Sequence, residues 1–346
     1  MAKGEIMRLS DFDYELPSSL IAQEPLSRRD GSRLLVLGKD TGKIEHLQFR
    51  DLRNLIKAGD VLVSNNTKVI PARLFGRKID TGAVIEVVLL RRLDAKRWEA
   101  LVKPGKRVKS GTRMVFGQGE LSAQSVETTE AGGRILEFSY EGVFEEVLDH
   151  LGQVPLPPYI HKNLQEPGRY QTVYARFPGS AAAPTAGLHF TPEIIRQLKD
   201  NGVQWVEVLL HVGLGTFRPV KEEDIAQHRM HEEYYEIPGE SAFLINQALR
   251  EQRRIIAVGT TSARALESAY RQGEVRSQTG WTRIFIYPGY EFKVVSALLT
   301  NFHLPKSTLL MLVSALAGRD NILEAYREAV KERYRFFSFG DAMLIV

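Results

Sequence analysis

The chain has 346 residues, of which 43% are hydrophobic and 25% charged, and its formal net charge is +4. This composition is typical of a folded protein of about two domains and excludes a disordered or collagen-like chain. Cysteine is absent, which excludes thiol nucleophiles, disulfides, cysteine-bound zinc and cysteine-held iron–sulfur clusters.

The pattern of residues 1–72 predicts the start of an α/β domain. Its first ten residues lack the apolar core of a signal peptide. Residues 33–37 form a predicted strand, and 60–64 a compact apolar strand typical of one buried on both faces. Polar residues 65–68 follow directly. Because open α/β sheets place their sites past the carboxyl ends of strands, we expect this segment to line a site.

Residues 73–152 have a different pattern. Short β-type runs recur without a helical period, and turn residues separate them. The runs are 84–90, 98–102, 114–116 and 134–140, and a helix is predicted over 143–151. This pattern predicts a small antiparallel β-barrel, residues 73–152, inserted into a discontinuous α/β domain of residues 1–72 and 153–346.

The C-terminal half alternates strands with helices, which predicts a mixed sheet with helices packed on it. The predicted helices are 192–200, 241–252, 263–271, 308–317 and 322–332, and the predicted strands are 203–212, 232–237, 255–258, 281–286, 292–296 and 342–346. The longest apolar run, 309–317, is too short to span a bilayer. We expect no membrane association, a cytoplasmic location and a monomer.

The stretch 179–192 is the least bulky part of the chain. It consists mainly of Gly, Ala, Ser and Thr, and its one imidazole is His189. Thr191 and Pro192 then begin a helix as N-cap and first residue. A thin loop that leads into a helix N-terminus can receive a carboxylate or a phosphate. The alternative is a tight chain crossing around a buried histidine.

Three further strand ends carry polar side chains. Main-chain N–H groups and hydroxyls at the start of a helix suit an anionic or ribose-like group, and imidazoles suit proton transfer. Each group also has a purely structural explanation, as a helix cap, a turn or a satisfied core histidine. The candidate residues are His211 and Arg218, then Gly259 to Arg264, then His303. A fourth loop, 335–341, offers aromatic rings and the carboxylate of Asp341.

Positive charge is concentrated within the predicted barrel. Residues 68–113 contain thirteen basic and four acidic side chains, a surplus of nine. Such a surplus attracts a phosphate backbone, although basic side chains also protect sheet edges from aggregation. No third or fourth ligand accompanies His228 and His231, so we predict no metal site.

Several long strings closely resemble the S-adenosylmethionine:tRNA ribosyltransferase-isomerase family of queuosine biosynthesis. The strings are residues 65–73, 156–160, 170–174, 179–191, 211–220, 258–267, 300–318 and 334–344. The resemblance implies an α/β domain with an inserted β-barrel. It also implies that the ribosyl part of S-adenosylmethionine is transferred to 7-aminomethyl-7-deazaguanine at the tRNA wobble position and rearranged, which gives epoxyqueuosine-tRNA and releases adenine and methionine.

The implied reaction consumes S-adenosylmethionine as a substrate and requires no metal or redox cofactor, and the implied partner is the tRNA anticodon stem-loop. Within this scheme we expect His189 to act as base or proton shuttle, with His211 or His303 as second proton carrier. The expected substrate-binding residues are Thr185, Gly187, Arg218, Gly259, Thr260, Thr261, Ser262 and Arg264. The expected tRNA-binding residues are Arg91, Arg92, Arg97 and Lys106.

Two other classes of protein compete with this hypothesis. One is an RNA-binding protein without catalysis, and the other is a Rossmann methyltransferase. No Gly-x-Gly-x-x-Gly turn follows a strand, which argues against the methyltransferase. The P-loop and the Gly-x-Ser-x-Gly elbow are also absent.

Overall fold

The chain divides into two units in the computed structural model. The first comprises Met1–Thr67, Pro158–Phe177 and Pro184–Val346, and the second Lys68–Pro157 and Pro178–Ala183. The structure describes residues 7–129, 132–162, 164–213, 220 and 222–346. The domain boundaries predicted from the sequence, 1–72 with 153–346 for the α/β domain and 73–152 for the barrel, stay a prediction.

The strands, numbered in chain order, are β1 Arg33–Leu37, β2 Ile44–Gln48, β3 Val61–Asn65, β4 Thr67–Val69, β5 Arg73–Lys78, β6 Val84–Arg92, β7 Arg97–Lys103, β8 Arg113–Phe116, β9 Leu121–Thr128, β10 Arg134–Tyr140, β11 Phe177–Ser180, β12 Gln204–Leu210, β13 Glu233–Ile237, β14 Ile255–Val258, β15 Tyr270–Arg271, β16 Glu274–Val275, β17 Gln278–Thr282, β18 Ala297–Asn301 and β19 Ala342–Ile345. The α-helices are α1 Leu52–Leu55, α2 Phe144–Leu151, α3 Pro192–Asp200, α4 Gly239–Arg250, α5 Thr260–Ala269, α6 Thr308–Ala317 and α7 Arg319–Lys331.

A nine-stranded mixed sheet forms the centre of the first unit. Its order is β17-β13-β12-β3-β14-β18-β19-β1-β2. The four central strands, β12, β3, β14 and β18, run parallel to one another, whereas β19 is antiparallel to β18. The carboxyl ends of the four parallel strands therefore lie at one edge of the sheet. The predicted mixed α/β sheet is confirmed.

One face of this sheet packs against α3. Leu62, Ile256 and Leu299 on the strands share a buried apolar cluster with Ile194 and Leu198 of the helix. Each such side chain contributes about 1.5–3 kcal/mol by leaving water. In the described part of the chain, no helix combines the length and the apolar character that crossing a membrane requires.

The second unit contains a closed antiparallel barrel in the order β10-β7-β6-β5-β8-β9. Its interior is filled by alternate residues of the strands, among them Trp98, Phe116 and Phe138, and Phe144 of α2 packs on Trp98 with ring centroids 5.6 Å apart. Closure pairs every strand and leaves no edge open to aggregation. The predicted small antiparallel barrel is confirmed.

Two predicted strands are wrong in position. The strand predicted at 281–286 lies earlier in the structure, as β17, which ends at Thr282. The strand predicted at 292–296 lies later, as β18, which begins at Ala297. The carboxylate of Glu267 explains the second case, because it accepts the main-chain N–H groups of Lys293, Val294 and Val295. This segment therefore satisfies its donors through one side chain rather than through a strand ladder.

Candidate active site

Polar residues converge where the four parallel strands end. Thr67 follows β3, His211 follows β12, the turn Gly259–Thr261 follows β14, and Asn301 ends β18. Because these strands are neighbours in the sheet, the residues share one edge, the usual place for a binding site in an open α/β sheet. The sequence predicted polar residues after β3, β12 and β14, but it did not predict Asn301.

The thin loop passes over this edge as a short 3₁₀ helix, Thr185–His189. The Thr185 hydroxyl donates to Asn301 Oδ1 at 3.1 Å. Gly259 has φ +86°, and a Cβ atom there would lie 3.7 Å from the Cβ of Ala186. A Cβ atom on Gly187 would overlap the hydroxyl oxygen of Tyr174. Gly187 is therefore required for the close approach of this loop to Tyr174, and the positive φ of Gly259 favours glycine there.

His189 is held from both ring nitrogens. Nδ1 lies 2.8 Å from the hydroxyl of Ser32, and Nε2 lies 3.1 Å from Nδ2 of Asn301. The ring also stacks on Phe49, with centroids 5.1 Å apart. Since the amide of Asn301 donates to Nε2, the ring proton is on Nδ1 and is donated to Ser32. The imidazole is thus fixed in one tautomer.

Burial, with the cations of Arg335 and Arg29 as further causes, lowers the pKa of His189 to about 3. The ring is therefore neutral at pH 7, which is the form that can accept a proton. Its acceptor atom, Nε2, is occupied only by the amide of Asn301 in the described part of the chain. An acid–base role requires that this one hydrogen bond be exchanged.

His211 lies at the same edge but in separate surroundings. Its Nδ1 is 2.8 Å from the hydroxyl of Thr67, and its ring stacks on Tyr234 at 5.8 Å. Burial lowers its pKa to about 4. Arg218, predicted to follow it in the site, lies outside the described residues.

His303 is directed to the other face of β18. Its Nε2 is 3.0 Å from the hydroxyl of Thr300, whereas His189 bonds to the next residue, Asn301. Successive side chains of a strand point to opposite faces, so the two rings lie on opposite sides of the sheet. Burial lowers the pKa of His303 to about 3. Its role as second proton carrier stays a prediction.

The turn after β14 and the start of α5 contain one hydroxyl that is bonded within the segment and other hydrogen-bond donors that are not. The hydroxyl of Ser262 donates to the carbonyl oxygen of Val258, the last residue of β14, at 2.8 Å. The buried hydroxyl of Thr261 has no hydrogen-bond partner among the described residues. Thr260 is the first residue of the helix, at the end where main-chain N–H groups are unpaired. This geometry fits an anionic or ribose-like ligand.

Arg264 is 4% exposed and forms a buried ion pair with Glu233. Oε1 of Glu233 also accepts the main-chain N–H of Gly213 at 3.1 Å. Nη2 of Arg264 is buried without a hydrogen-bond partner in the ranges that the structure covers. The guanidinium group thus holds β13 to α5 and retains one donor; the sequence did not indicate this ion pair.

Three of the four predicted tRNA-binding residues of the barrel already have acidic partners. Arg91 lies 3.2 Å from Glu99 and Arg92 lies 2.6 Å from Glu145, while Arg97 pairs with Asp94. Their side chains are 41–53% exposed. Exposed ion pairs contribute only about 0–1 kcal/mol, so these arginines can exchange a carboxylate for a phosphate at little cost.

Sequence reasoning missed Ser32 and Asn301, which orient His189. Asn301 had a usable signal, since it ends a buried apolar strand, but the predicted strand lies five residues too early. Ser32 had none, because it is 157 positions from His189 along the chain. No group of three or more Asp, Glu or His in the described residues is arranged to hold a metal ion.

Comparison with known proteins decides the family. A sequence model described as "Queuosine biosynthesis protein" matches residues 9–345. The chain belongs to the S-adenosylmethionine:tRNA ribosyltransferase-isomerase family of queuosine biosynthesis. This membership confirms the resemblance and the prediction of an enzyme.

Individual members of this family match over nearly the whole chain. The S-adenosylmethionine:tRNA ribosyltransferase-isomerases of Carboxydothermus hydrogenoformans and Pelotomaculum thermopropionicum are 60% and 61% identical, over 98% of this chain and 100% of each relative. The crystal structure of the S-adenosylmethionine tRNA ribosyltransferase of Thermotoga maritima is 46% identical, covers 97% of this chain and 100% of its own, and superposes with a TM-score of 0.57.

The neutral buried histidines predict acid sensitivity. The pKa values of His189 and His303 are about 3 and that of His211 about 4 in the folded chain, below the ordinary 6.5. Below pH 6.5 the unfolded chain binds protons that the folded chain does not. The contribution of the three neutral histidines to the free energy of unfolding is therefore complete above pH 6.5. It is lost as the pH falls towards 3, by about 1.4 kcal/mol per pH unit for each histidine.

Urea unfolding between pH 7.5 and 5 checks this expectation. His303→Gln should lower the slope of unfolding free energy against pH by the contribution of one histidine, about 1.4 kcal/mol per pH unit. His161→Gln, at an exposed position, should leave the slope unchanged. An unaltered slope in His303→Gln would mean that this imidazole is charged in the folded chain.

Proposed function

We propose that this enzyme transfers the ribosyl moiety of S-adenosylmethionine to 7-aminomethyl-7-deazaguanine at the wobble position of tRNA and isomerises it to epoxyqueuosine. Adenine and methionine leave as products. The observation that carries the proposal is the 58–61% identity, over 98% of this chain, to relatives that bear the name of this reaction. The proposal includes action as a monomer in the cytoplasm.

His189 is proposed as the base or proton shuttle. A sulfonium centre acidifies the hydrogens on the adjacent C5′ carbon, so a side chain of moderate basicity is sufficient to start the rearrangement. The ring is in the neutral form that accepts a proton, although its pKa of about 3 makes it a weak base in this structure. The Ser32 hydroxyl holds its Nδ1 proton, so that Nε2 is the atom that accepts. His211 is the better placed second carrier, because it shares the sheet edge with the loop that carries His189.

The substrate is proposed to lie along the strand ends. The turn Gly259–Ser262 at the start of α5 offers main-chain N–H groups and hydroxyls to ribose hydroxyls or to the methionine carboxylate. Thr185 and Gly187 form the thin wall of this site, and the open Nη2 of Arg264 adds a charged donor. Arg218 is included in the proposal from its sequence position. No metal or redox cofactor takes part in this scheme.

Product analysis tests the proposed reaction. With tRNA that carries 7-aminomethyl-7-deazaguanine, we expect adenine and methionine to appear in equal amounts and the tRNA to gain the modified ribosyl group. Formation of S-adenosylhomocysteine would show methylation instead. Binding of tRNA without turnover would show a binding protein. Either result would overturn the proposal.

The exposed basic residues of the barrel are proposed to contact tRNA. Changing Arg91, Arg92, Arg97 and Lys106 to Gln should weaken tRNA binding and flatten its dependence on salt. The slope of log affinity against log salt should fall by about 0.7–0.9 for each phosphate that the variant no longer neutralises. The matched control is Arg327→Gln on α7, an exposed arginine paired with Glu324. Equal salt slopes in the quadruple variant and the control would place the RNA elsewhere.

A further inference from the structure

Three arginines line a cleft beside His189 in the first unit, and a fourth lies near the histidine. Arg28, Arg29 and Arg169 line the cleft together with His189, and Arg335 is close enough to lower the pKa of the histidine. We refer to this cleft, with the three arginines that line it and the neighbouring Arg335, as the arginine cleft. The sequence did not predict that these four would cluster, because they come from three separate segments.

Two of the four arginines, Arg29 and Arg169, have no carboxylate partner among the described residues. Arg28 forms a two-pronged bond to Asp30, at 3.2 and 3.0 Å. In the described part of the chain, the other three make no ion pair and donate instead to main-chain carbonyl oxygens, which carry only partial charge. These are the carbonyls of Leu188 and Gly168 for Arg29, of Ser27 and Leu26 for Arg169, and of Glu24 for Arg335.

Two donors of the arginine cleft remain open. Nε of Arg169 and Nη1 of Arg335 are buried and have no hydrogen-bond partner among the described residues. Burial lowers the pKa of Arg29, with repulsion from Arg169 as a second cause. Burial also lowers the pKa of Arg335, against the opposing effect of the carboxylates of Asp341 and Glu24. Unmet donors and mutually repelling cations are both stabilised by an anion, and guanidinium groups match the geometry of phosphate oxygens.

We propose that the arginine cleft binds phosphodiester groups of the RNA substrate beside His189. This inference deepens the proposed function, which supplies the RNA, and it adds a second contact region to the barrel residues. The methionine end of S-adenosylmethionine is a poorer occupant. It has one carboxylate accompanied by an ammonium and a sulfonium cation, which Arg29 and Arg169 would repel, whereas successive phosphates carry negative charge only.

The test measures binding of an unmodified anticodon stem-loop RNA by fluorescence anisotropy between 50 and 300 mM KCl. Arg169→Gln and Arg335→Gln should each weaken binding about tenfold at the lowest salt and lower the salt slope by about 0.7–0.9. Arg327→Gln, which removes the same charge from an exposed helix, should leave both quantities unchanged. Binding of S-adenosylmethionine is measured for each variant by calorimetry.

The outcomes separate a binding role from a structural one. Folded Gln variants with the wild-type salt slope would overturn the inference, as would a loss confined to S-adenosylmethionine binding. Arg169→Lys and Arg335→Lys keep the charge but lose the fork, so they should bind RNA about three- to tenfold more weakly at an unchanged slope. If the Gln variants do not fold, the Lys variants decide, and wild-type affinity in both would overturn the inference.

The same measurements distinguish this inference from the proposed reaction. A wild-type protein that releases no adenine but whose RNA binding depends on Arg169 and Arg335 would retain the arginine cleft and lose the proposed reaction. A protein that releases adenine and methionine, with RNA binding independent of these arginines, would retain the reaction and lose the cleft.

Discussion

Replacing His189 by alanine is expected to lower the rate of adenine release about 100- to 10,000-fold, the usual range for loss of a general base. The measurement is adenine formed per enzyme with S-adenosylmethionine and tRNA that carries 7-aminomethyl-7-deazaguanine. His161→Ala, at an exposed position of the same unit, should retain the wild-type rate. Near wild-type turnover in His189→Ala would remove this residue from the chemistry.

A second substitution separates proton transfer from positioning. His189→Gln can keep hydrogen bonds to Ser32 or Asn301 but cannot take up a proton, so its rate should be as low as that of His189→Ala. If glutamine restores most of the activity, the histidine only orients the loop. Ser32→Ala should cause a smaller loss, about tenfold, because the ring keeps its bond to Asn301 while the Nδ1 proton loses its acceptor.

The largest effect on stability is expected at Arg264. Arg264→Met leaves the carboxylate of Glu233 buried, 4% exposed, without its cation, and should lower the free energy of unfolding by about 3–5 kcal/mol. Denaturant unfolding measures this loss. Arg327→Met, which breaks the exposed pair with Glu324, should change the same quantity by less than about 1 kcal/mol.

The double variant Arg264→Met with Glu233→Gln tests the cause. Removing both charges avoids the uncompensated carboxylate, so the double variant should be more stable than Arg264→Met alone. Equal stability of the two variants would show that the side-chain volume of Arg264, and not its charge, supports the fold. A wild-type unfolding free energy in Arg264→Met, together with weakened S-adenosylmethionine binding, would assign the arginine to the ligand alone.

The candidate site was predictable where polar or small residues lie next to a strand or helix that the hydrophobic pattern identifies. The turn after Val258, the histidine after Leu210 and the thin loop before Thr191 all follow or precede elements that hydrophobic patterns identify. Strand positions failed near Lys293, because one buried carboxylate, Glu267, satisfies three main-chain donors there. Such a bond joins residues about 27 positions apart, and no local pattern encodes it.

By itself, the sequence determined the class of fold, the inserted barrel and the loops at the strand ends, because hydrophobic period and turn residues are local properties. Only the tertiary structure decided which polar groups meet. It placed His189 and His303 on opposite faces of one strand, paired Arg264 with Glu233, and gathered the arginine cleft from three segments. The reason is physical: ion pairs and buried hydrogen bonds depend on distances in space, which sheet order and packing establish.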